Sequence, residues 1–490
     1  MKSRRTVVVL SLLLAAWALT RPGDAAADTP APMNVLFIIS DDLRNEMGCY
    51  GVERASTPRL DELAESSVRF DRAYCQYPLC NPSRSSMLTG LYPTTVGVLG
   101  NRTWFGATRP DAVSLPRWFR QNGYHTLSAG KIFHGGIDDV EAWDEGGSAR
   151  YFGEGATRRP PPSIRPDRAA GGRRLTKQQR SDRWIVLEGD EEKTGDHRVA
   201  TRAIEMLRSA ASDEQQQPFF LACGFSKPHS PLAAPKRFFD MWDLGEIELP
   251  IDFAARPTVP EGFPAGSIRP RNADLFIGRE ASEEEAKMMT RAYLASTAWM
   301  DWNAGRVLDT LDELGLGENT IVVFWGDHGY QLGEKGKWSK AGSLWEQGAR
   351  VPLFIRDPRK AGNGTPCPRV VETIDLYPTL CDLCGVDRPA GLEGESLATL
   401  LDDPTHEDDS PAFTVWSGDG EHITGVCVRT ERWRYAEFYG RGPGAMLTDP
   451  VSDPHELVNL VNDPEHADTV GRLSKIAREH VAGHTPAAAP

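Results

Sequence analysis

The residues best suited to chemistry lie far apart in the chain. Ser40-Asp41-Asp42 ends the apolar run that starts at Asn34, and Gly326-Asp327-His328-Gly329 ends a second run, Thr320 to Trp325. Adjacent carboxylates at a strand end repel one another unless a cation compensates them. An Asp-Asp pair alone is equally a solvated turn. Three strand-end acids, Asp41, Asp42 and Asp327, with His328 beside them, make a convergent cation site credible. Oxygen donors favour Ca2+, while the imidazole keeps Mg2+ and Mn2+ open. Between these segments lies Cys80-Asn81-Pro82-Ser83-Arg84, running on to Leu88-Thr89-Gly90. Pro82 suits the first turn of a helix and Gly90 its stop. Cys80 then sits at the positive end of that helix, where an anion is favoured.

Basic groups follow other apolar runs. Gly130-Lys131-Ile132-Phe133-His134 comes after Thr126 to Ala129, Lys227-Pro228-His229 after a run ending at Phe225, and Trp338-Ser339-Lys340 after Asp327. Taken singly, each lysine is a surface residue and each histidine a hydrogen-bonded structural one. Their joint placement at strand ends is what marks them.

The stretch from Cys80 to Gly90 resembles the signature of the formylglycine-dependent (type I) sulfatases, Cys-x-Pro-Ser-Arg with a Leu-Thr-Gly end. The resemblance implies that Cys80 is oxidised to formylglycine (3-oxoalanine) by a formylglycine-generating or equivalent maturation enzyme. A hydrated aldehyde has two hydroxyls: one attacks sulfur, and loss of the proton from the other expels sulfate, where a serine would stay trapped as its ester. It also implies one Ca2+ held by Asp41, Asp42, residue 80, Asp327 and His328. In the same family pattern Lys131 and Lys340 bind sulfate oxygens, Arg84 holds the nucleophile, His134 contacts its second hydroxyl, and His229 protonates the leaving alcohol. Those roles are physically sound, since cations offset oxyanion charge and imidazoles titrate near working pH.

Asp41-Asp42-Leu43-Arg44, Gly48-Cys49-Tyr50-Gly51 and Asp327-His328-Gly329-Tyr330-Gln331-Leu332-Gly333-Glu334 resemble the iduronate-2-sulfatase branch rather than the arylsulfatases. A sulfated saccharide, uronic-acid-containing or another polysaccharide, is the implied substrate. Ala341-Gly342-Ser343 and residues 136 to 196 depart from that branch, and such loops shape the sugar pocket. The rival readings are a choline-sulfatase-like alkyl sulfatase, a phosphodiesterase or phosphatase of the same superfold, and a glycan-binding protein without catalysis.

Buried apolar runs alternating with helical patterns must position these groups. Runs at 34 to 40, 124 to 129, 218 to 225, 320 to 325 and 351 to 356 read as strands buried on both faces. Helices are expected from Thr57-Pro58 through Val68, from Ser282 to Leu314 with Gly315 as stop, and from Thr373 to Cys384. The fold class is α/β, with functional groups at the carboxyl ends of strands. The resemblance makes it an alkaline-phosphatase-like sandwich with a large, mostly parallel sheet between helices, plus a smaller C-terminal α+β domain with a short antiparallel sheet. The expected division is a signal peptide over 1–27, a catalytic domain over 28–401 and the smaller domain, with a disordered tail, over 402–490. Residues 136 to 196, rich in Arg, Pro, Gly and acids, read as a surface excursion.

Of 490 residues 40% are hydrophobic, enough for a large core, and the formal net charge is -14. Lys2, Arg4 and Arg5, the apolar run Val7 to Leu19 and Ala25-Ala26-Ala27 form a signal-peptide pattern too short for a stable membrane span, so the chain is expected to be exported. That segment holds four basic residues and one acid, so its removal leaves the chain near -17. Nucleic acid is thereby an unfavourable partner, and an anionic substrate needs a local positive pocket. Eight cysteines are too sparse for a disulfide scaffold, and Cys381 and Cys384 share a helix face suited to core packing.

Overall fold

The computed structural model describes residues 32–152, 175–189, 191–212 and 217–484. The signal-peptide pattern, Arg158 to Pro162 and the last six residues lie outside them. In chain order the elements that matter are β1 (Asn34–Asp41), α1 (Pro58–Glu65), β2 (Val68–Tyr74), α2 (Cys80–Thr89), β3 (His125–Gly130), α3 (Gly195–Ala211) and β4 (Phe219–Pro228). They continue with α4 (Glu283–Glu313), β5 (Thr320–Gly326), β6 (Leu353–Arg356), β7 (Pro366–Glu372) and α5 (Leu376–Cys384). A second group comprises β8 (Ala412–Ser417), β9 (Ile423–Arg429), β10 (Arg434–Phe438), β11 (Gly444–Thr448) and α6 (Ala467–Gly483).

The main sheet has the order β7-β2-β6-β5-β1-β4-β3, with the short strand Arg350–Val351 also on β2. β1 pairs in parallel with β4 and β5, β3 with β4, and β7 with β2. β6 runs against both its neighbours, so β2 again points the same way as β1. The carboxyl ends of β1, β2, β3, β4 and β5 therefore share one edge, which is where a parallel sheet collects its functional groups.

Alternation within each strand separates two cores. Val35, Phe37, Ile39, Ile321, Val323 and Trp325 pack with α2 and α5 on one face. Leu36, Ile38, Leu221, Val322 and Phe324 pack with α3 and α4 on the other. Both faces are covered, which explains why these strands read as unbroken apolar runs. Helix α4 starts where Ser282 accepts the Glu285 N–H at 3.3 Å, as the capping pattern requires. The expected helix from Thr373 begins as a single 3-10 turn, Thr373–Asp375, before α5. All eight cysteines are free, and Cys381 is in the core with Cys384 packed against it.

Val68, expected at the end of the first helix, belongs instead to β2, because the chain turns after Glu65. The described parts of the region 136 to 196 are less of an excursion than its composition implies. Asp138, Asp139 and Trp143 are buried, and Trp184–Leu187 forms a parallel two-stranded pair with Leu232–Pro235. Strands β8 to β11 form a separate antiparallel sheet covered by α6, and its core includes Tyr77 from the segment leading into α2.

Candidate active site

Register brings the groups together. Ser40 pairs with Gly326, Asp41 with Pro228, and Gly130 with Gly224, so Asp41, Asp327, His229 and Lys131 all leave the sheet at one edge. Gly130 has φ +86°, and a Cβ there would stand 2.1 Å from the Gly224 carbonyl. Only glycine lets the chain turn so close to β4 and donate the Lys131 N–H to that carbonyl at 2.8 Å. Parallel β2 ends at the same edge and leads to Cys80, the first residue of α2, all ten residues of which are buried.

Ligand atoms of Asp41, Asp42, Cys80 and His328, all buried, lie within 4.8 Å of one another. His328 Nε2 is 3.4 Å from Cys80 Sγ and 3.4 Å from Asp42 Oδ1. Asp327 stands one step behind. Its Oδ1 accepts the Asp42 N–H at 3.0 Å and lies 3.5 Å from His328 Nε2, while its Oδ2 accepts Arg84 Nε at 2.8 Å. Asp42 has φ +66°, an uncommon conformation for a side-chain-bearing residue, and is held there by Asp327 and by Tyr293 Oη, which donates to its carbonyl at 2.7 Å.

Cations surround this group. Lys131 Nζ donates to Asp41 Oδ2. Lys340 Nζ donates to both oxygens of Asp42 at 2.7 Å. Arg84 also donates to the carbonyls of Lys131 and Ile132, at 2.5 and 2.9 Å. His229 Nδ1 lies 2.7 Å from the Ser230 carbonyl, which makes Nδ1 the donor and leaves Nε2, 4.0 Å from Asp42, free to exchange a proton. His134 Nδ1 is buried without a hydrogen-bond partner.

The electrostatics follow. Burial and Asp41 push the Cys80 thiol up, but Lys131, Lys340 and His328 outweigh them and hold it well below the ordinary thiol range. Burial opposes ionisation of Asp41, yet Lys131, His229 and Arg84 keep it strongly acidic. Burial first, then Asp41 and Cys80, raise Asp327 to about 7 against His328 and Arg84. Burial lowers His134, whereas Asp42 overcomes burial at His229 and raises it.

Two carboxylates, an imidazole and residue 80 make a donor set that fits a divalent cation. Asp41 Oδ1 supports the fit, since it is buried with no hydrogen-bond partner and only the Arg84 guanidinium 3.5 Å away.

A family model for sulfatases matches residues 33–386. The chain belongs to the sulfatase family. It is thus a sulfuric ester hydrolase, and a second model, for the C-terminal part of N-sulphoglucosamine sulphohydrolase, matches residues 333–481 of this sulfatase. A sulfatase of Formosa agariphila is 33% identical over 88% of this chain and 83% of its own. The iduronate 2-sulfatase of Mus musculus is 29% identical over 92% of this chain and 94% of its own. A protein solved with its substrate D-glucosamine-2-N,6-O-disulfate has the same fold, with TM-score 0.70 and 21% identity over 92% of this sulfatase and 98% of that chain.

One buried group at this site had no signal in the sequence. Asp274, from the irregular stretch Leu249 to Arg279, lies 3.6 Å from Lys340 Nζ. Lys227 is turned away from the carboxylates, donating to the carbonyls of His229 and Pro231 at 2.8 and 2.7 Å, and so braces the loop carrying His229.

Proposed function

We propose that this sulfatase removes sulfate from a sulfated saccharide, uronic-acid-containing or another polysaccharide, with formylglycine made from Cys80 and one Ca2+. The carrying observation is the gathering of Asp41, Asp42, Cys80 and His328 at the start of α2, ringed by Lys131, Lys340, Arg84, His134 and His229.

Asp41, Asp42, Asp327 and His328 would hold the cation beside residue 80, where a bound divalent ion supplies positive charge against the oxygens of the sulfuryl group. Oxidation of Cys80 to the aldehyde, followed by addition of water, would give that position two hydroxyls on one carbon, the arrangement that lets a sulfated side chain shed sulfate again. Arg84, locked by Asp327 and two carbonyls, fixes the start of α2. Lys131 and Lys340 turn their ammonium groups to the sulfate oxygens. His229 Nε2 gives a proton to the departing alcohol oxygen, and half-buried His134 accepts a proton from the second hydroxyl of residue 80.

Export, and maturation of Cys80 by a formylglycine-generating or equivalent enzyme, complete the reading; the N-terminal basic, apolar and small-residue pattern supports the first. Among the described residues no helix is long and apolar enough to cross a membrane. The test is peptide mass spectrometry of active protein combined with turnover of sulfated oligosaccharides, choline sulfate and a phosphate diester. Formylglycine at position 80 with sulfate release from a saccharide is expected. Fully active protein carrying only thiol, or a preference for the phosphate diester, overturns the proposal.

A further inference from the structure

A cleft of about 820 Å3 lies between the irregular segment at 257–270 and the antiparallel sheet, lined among others by Arg269, Gly342, Trp416, Asp419 and Arg441. Two of its lining residues connect it to segments that carry groups of the reaction centre. Gly342 is two residues beyond Lys340, and the Trp416 ring packs 5.1 Å from that of Tyr77, three residues before Cys80. The Ser417 N–H also donates to Tyr77 Oη at 3.0 Å.

The walls are fixed. Gly266 N–H donates to the Gly442 carbonyl at 2.9 Å, and a Cβ on Gly442 would stand 2.6 Å from Ala265 Cβ. That contact sets the turn bearing Arg441 directly against the 257–270 segment. Buried Lys337 donates to the carbonyls of Arg269 and Arg271, at 3.4 and 3.2 Å, and the Arg269 guanidinium stacks 5.1 Å from the Trp416 ring.

Charge decides the occupant. Arg269 and Arg441 are exposed, and among the described residues neither has a carboxylate partner, in a chain whose net charge is -14. The acid in the cleft, Asp419, is already used by its own turn: it accepts the Glu421 and His422 N–H groups at 2.8 Å and Ser417 Oγ at 3.0 Å, and it pairs with the His422 ring. Two unpaired guanidiniums on a rigid wall suit repeated carboxylates or sulfates along a sugar chain.

We propose that this cleft binds the acidic sugar residues flanking the one that loses its sulfate, with Arg269 and Arg441 as the contacts to their anionic groups. This rests on the saccharide sulfatase reading. The test is calorimetry on the full chain with a heparin-derived hexasaccharide as probe and cellohexaose as the neutral control. Binding of the acidic hexasaccharide should weaken about tenfold in Arg269→Gln and again in Arg441→Gln, and should weaken with added salt. In parallel, the ratio of kcat/KM for a sulfated oligosaccharide over a small aryl sulfate should fall by a similar factor. Arg441 lies in an exposed turn, so its variant remains informative if Arg269→Gln folds poorly. No binding by the unaltered protein, equal binding by both variants, or equal affinity for cellohexaose overturns the cleft assignment while aryl sulfate turnover still upholds the sulfatase reading. Absence of any sulfatase turnover sinks that reading alone, since the binding result stands without it.

Discussion

Arg84 and Asp327 form an ion pair at 2.8 Å with neither side chain exposed to solvent. The pair ties the start of α2 to the end of β5 and so sets the distance between residue 80 and His328. Removing the carboxylate charge leaves a buried guanidinium with only Asp41, 3.5 Å away, to compensate it. Breaking such a pair costs about 3–5 kcal/mol. Asp327→Asn is expected to lower the denaturation midpoint and to reduce turnover of an aryl sulfate by at least about 100-fold. A folded variant with kcat within about threefold of the original would remove Asp327 from the reacting assembly.

Glu46 predicts acid sensitivity. Its carboxylate lies between Arg44 and Arg54, at 2.6 Å from each. Burial opposes ionisation, but the two guanidiniums outweigh it and lower the group from 4.5 to about 2. Because the folded value is the lower one, the stabilisation is fully present above about pH 4.5 and disappears as pH falls from there toward 2. It amounts to about 3 kcal/mol. Urea midpoints measured between pH 7 and 3 should show more than half of that loss in the unaltered protein. Glu46→Gln should be weaker at pH 7 and flatter across the range; parallel curves for the two proteins would refute the assignment.

A second buried charge cluster joins the antiparallel sheet to the main one. Glu346 accepts Tyr74 Oη at 2.7 Å and Arg429 Nε at 3.2 Å and pairs with Arg434, whose Nε lies 3.1 Å from Glu456. The Glu346 N–H donates to Glu456 as well, at 2.9 Å. Glu346→Gln leaves both arginines short of charge inside the protein and should cost about 3–5 kcal/mol. Limited proteolysis should then cut preferentially after residue 402. Loss of stability with no such preference would show that the cluster does not tie the two sheets together.

Much of the site was legible because β1 and β5 are buried on both faces, so their unbroken apolar runs end where Asp41 and Asp327 begin. The α2 signature was legible for a similar reason, since its first turn and its glycine stop are both local features. Strand β2 was not. Arg69, Asp71 and Arg72 interrupt its apolar pattern; all three are half-buried, Arg69 pairs with Asp71 at 2.9 Å, and Arg350 donates to the Asp71 carbonyl at 2.7 Å. Asp274 reaches Lys340 through an irregular segment whose path depends on long-range contacts, such as the Trp338 N–H bond to Asn272 at 3.0 Å. No spacing rule connects residues brought together in that way.

Dependence on a divalent cation is the remaining consequence of the donor set. Asp41 and Asp42 present their carboxylates to one another's surroundings, with Asp41 Oδ1 lacking a hydrogen-bond partner and Lys340 shared between Asp42 and Asp274. A divalent ion bound there satisfies the orphaned oxygen and offsets the mutual repulsion of the acids, so it should stabilise the folded chain by mass action as well as support turnover. Dialysis against EGTA is expected to abolish most sulfate release and to lower the melting temperature, and Ca2+ should restore both. Mg2+ demands a smaller octahedral shell and should restore less. Asp42→Asn should abolish the calcium-induced rise in melting temperature, a readout that does not depend on whether Cys80 has been oxidised. A melting temperature indifferent to Ca2+ in the unaltered protein would mean that Asp41, Asp42, Asp327 and His328 hold no such ion.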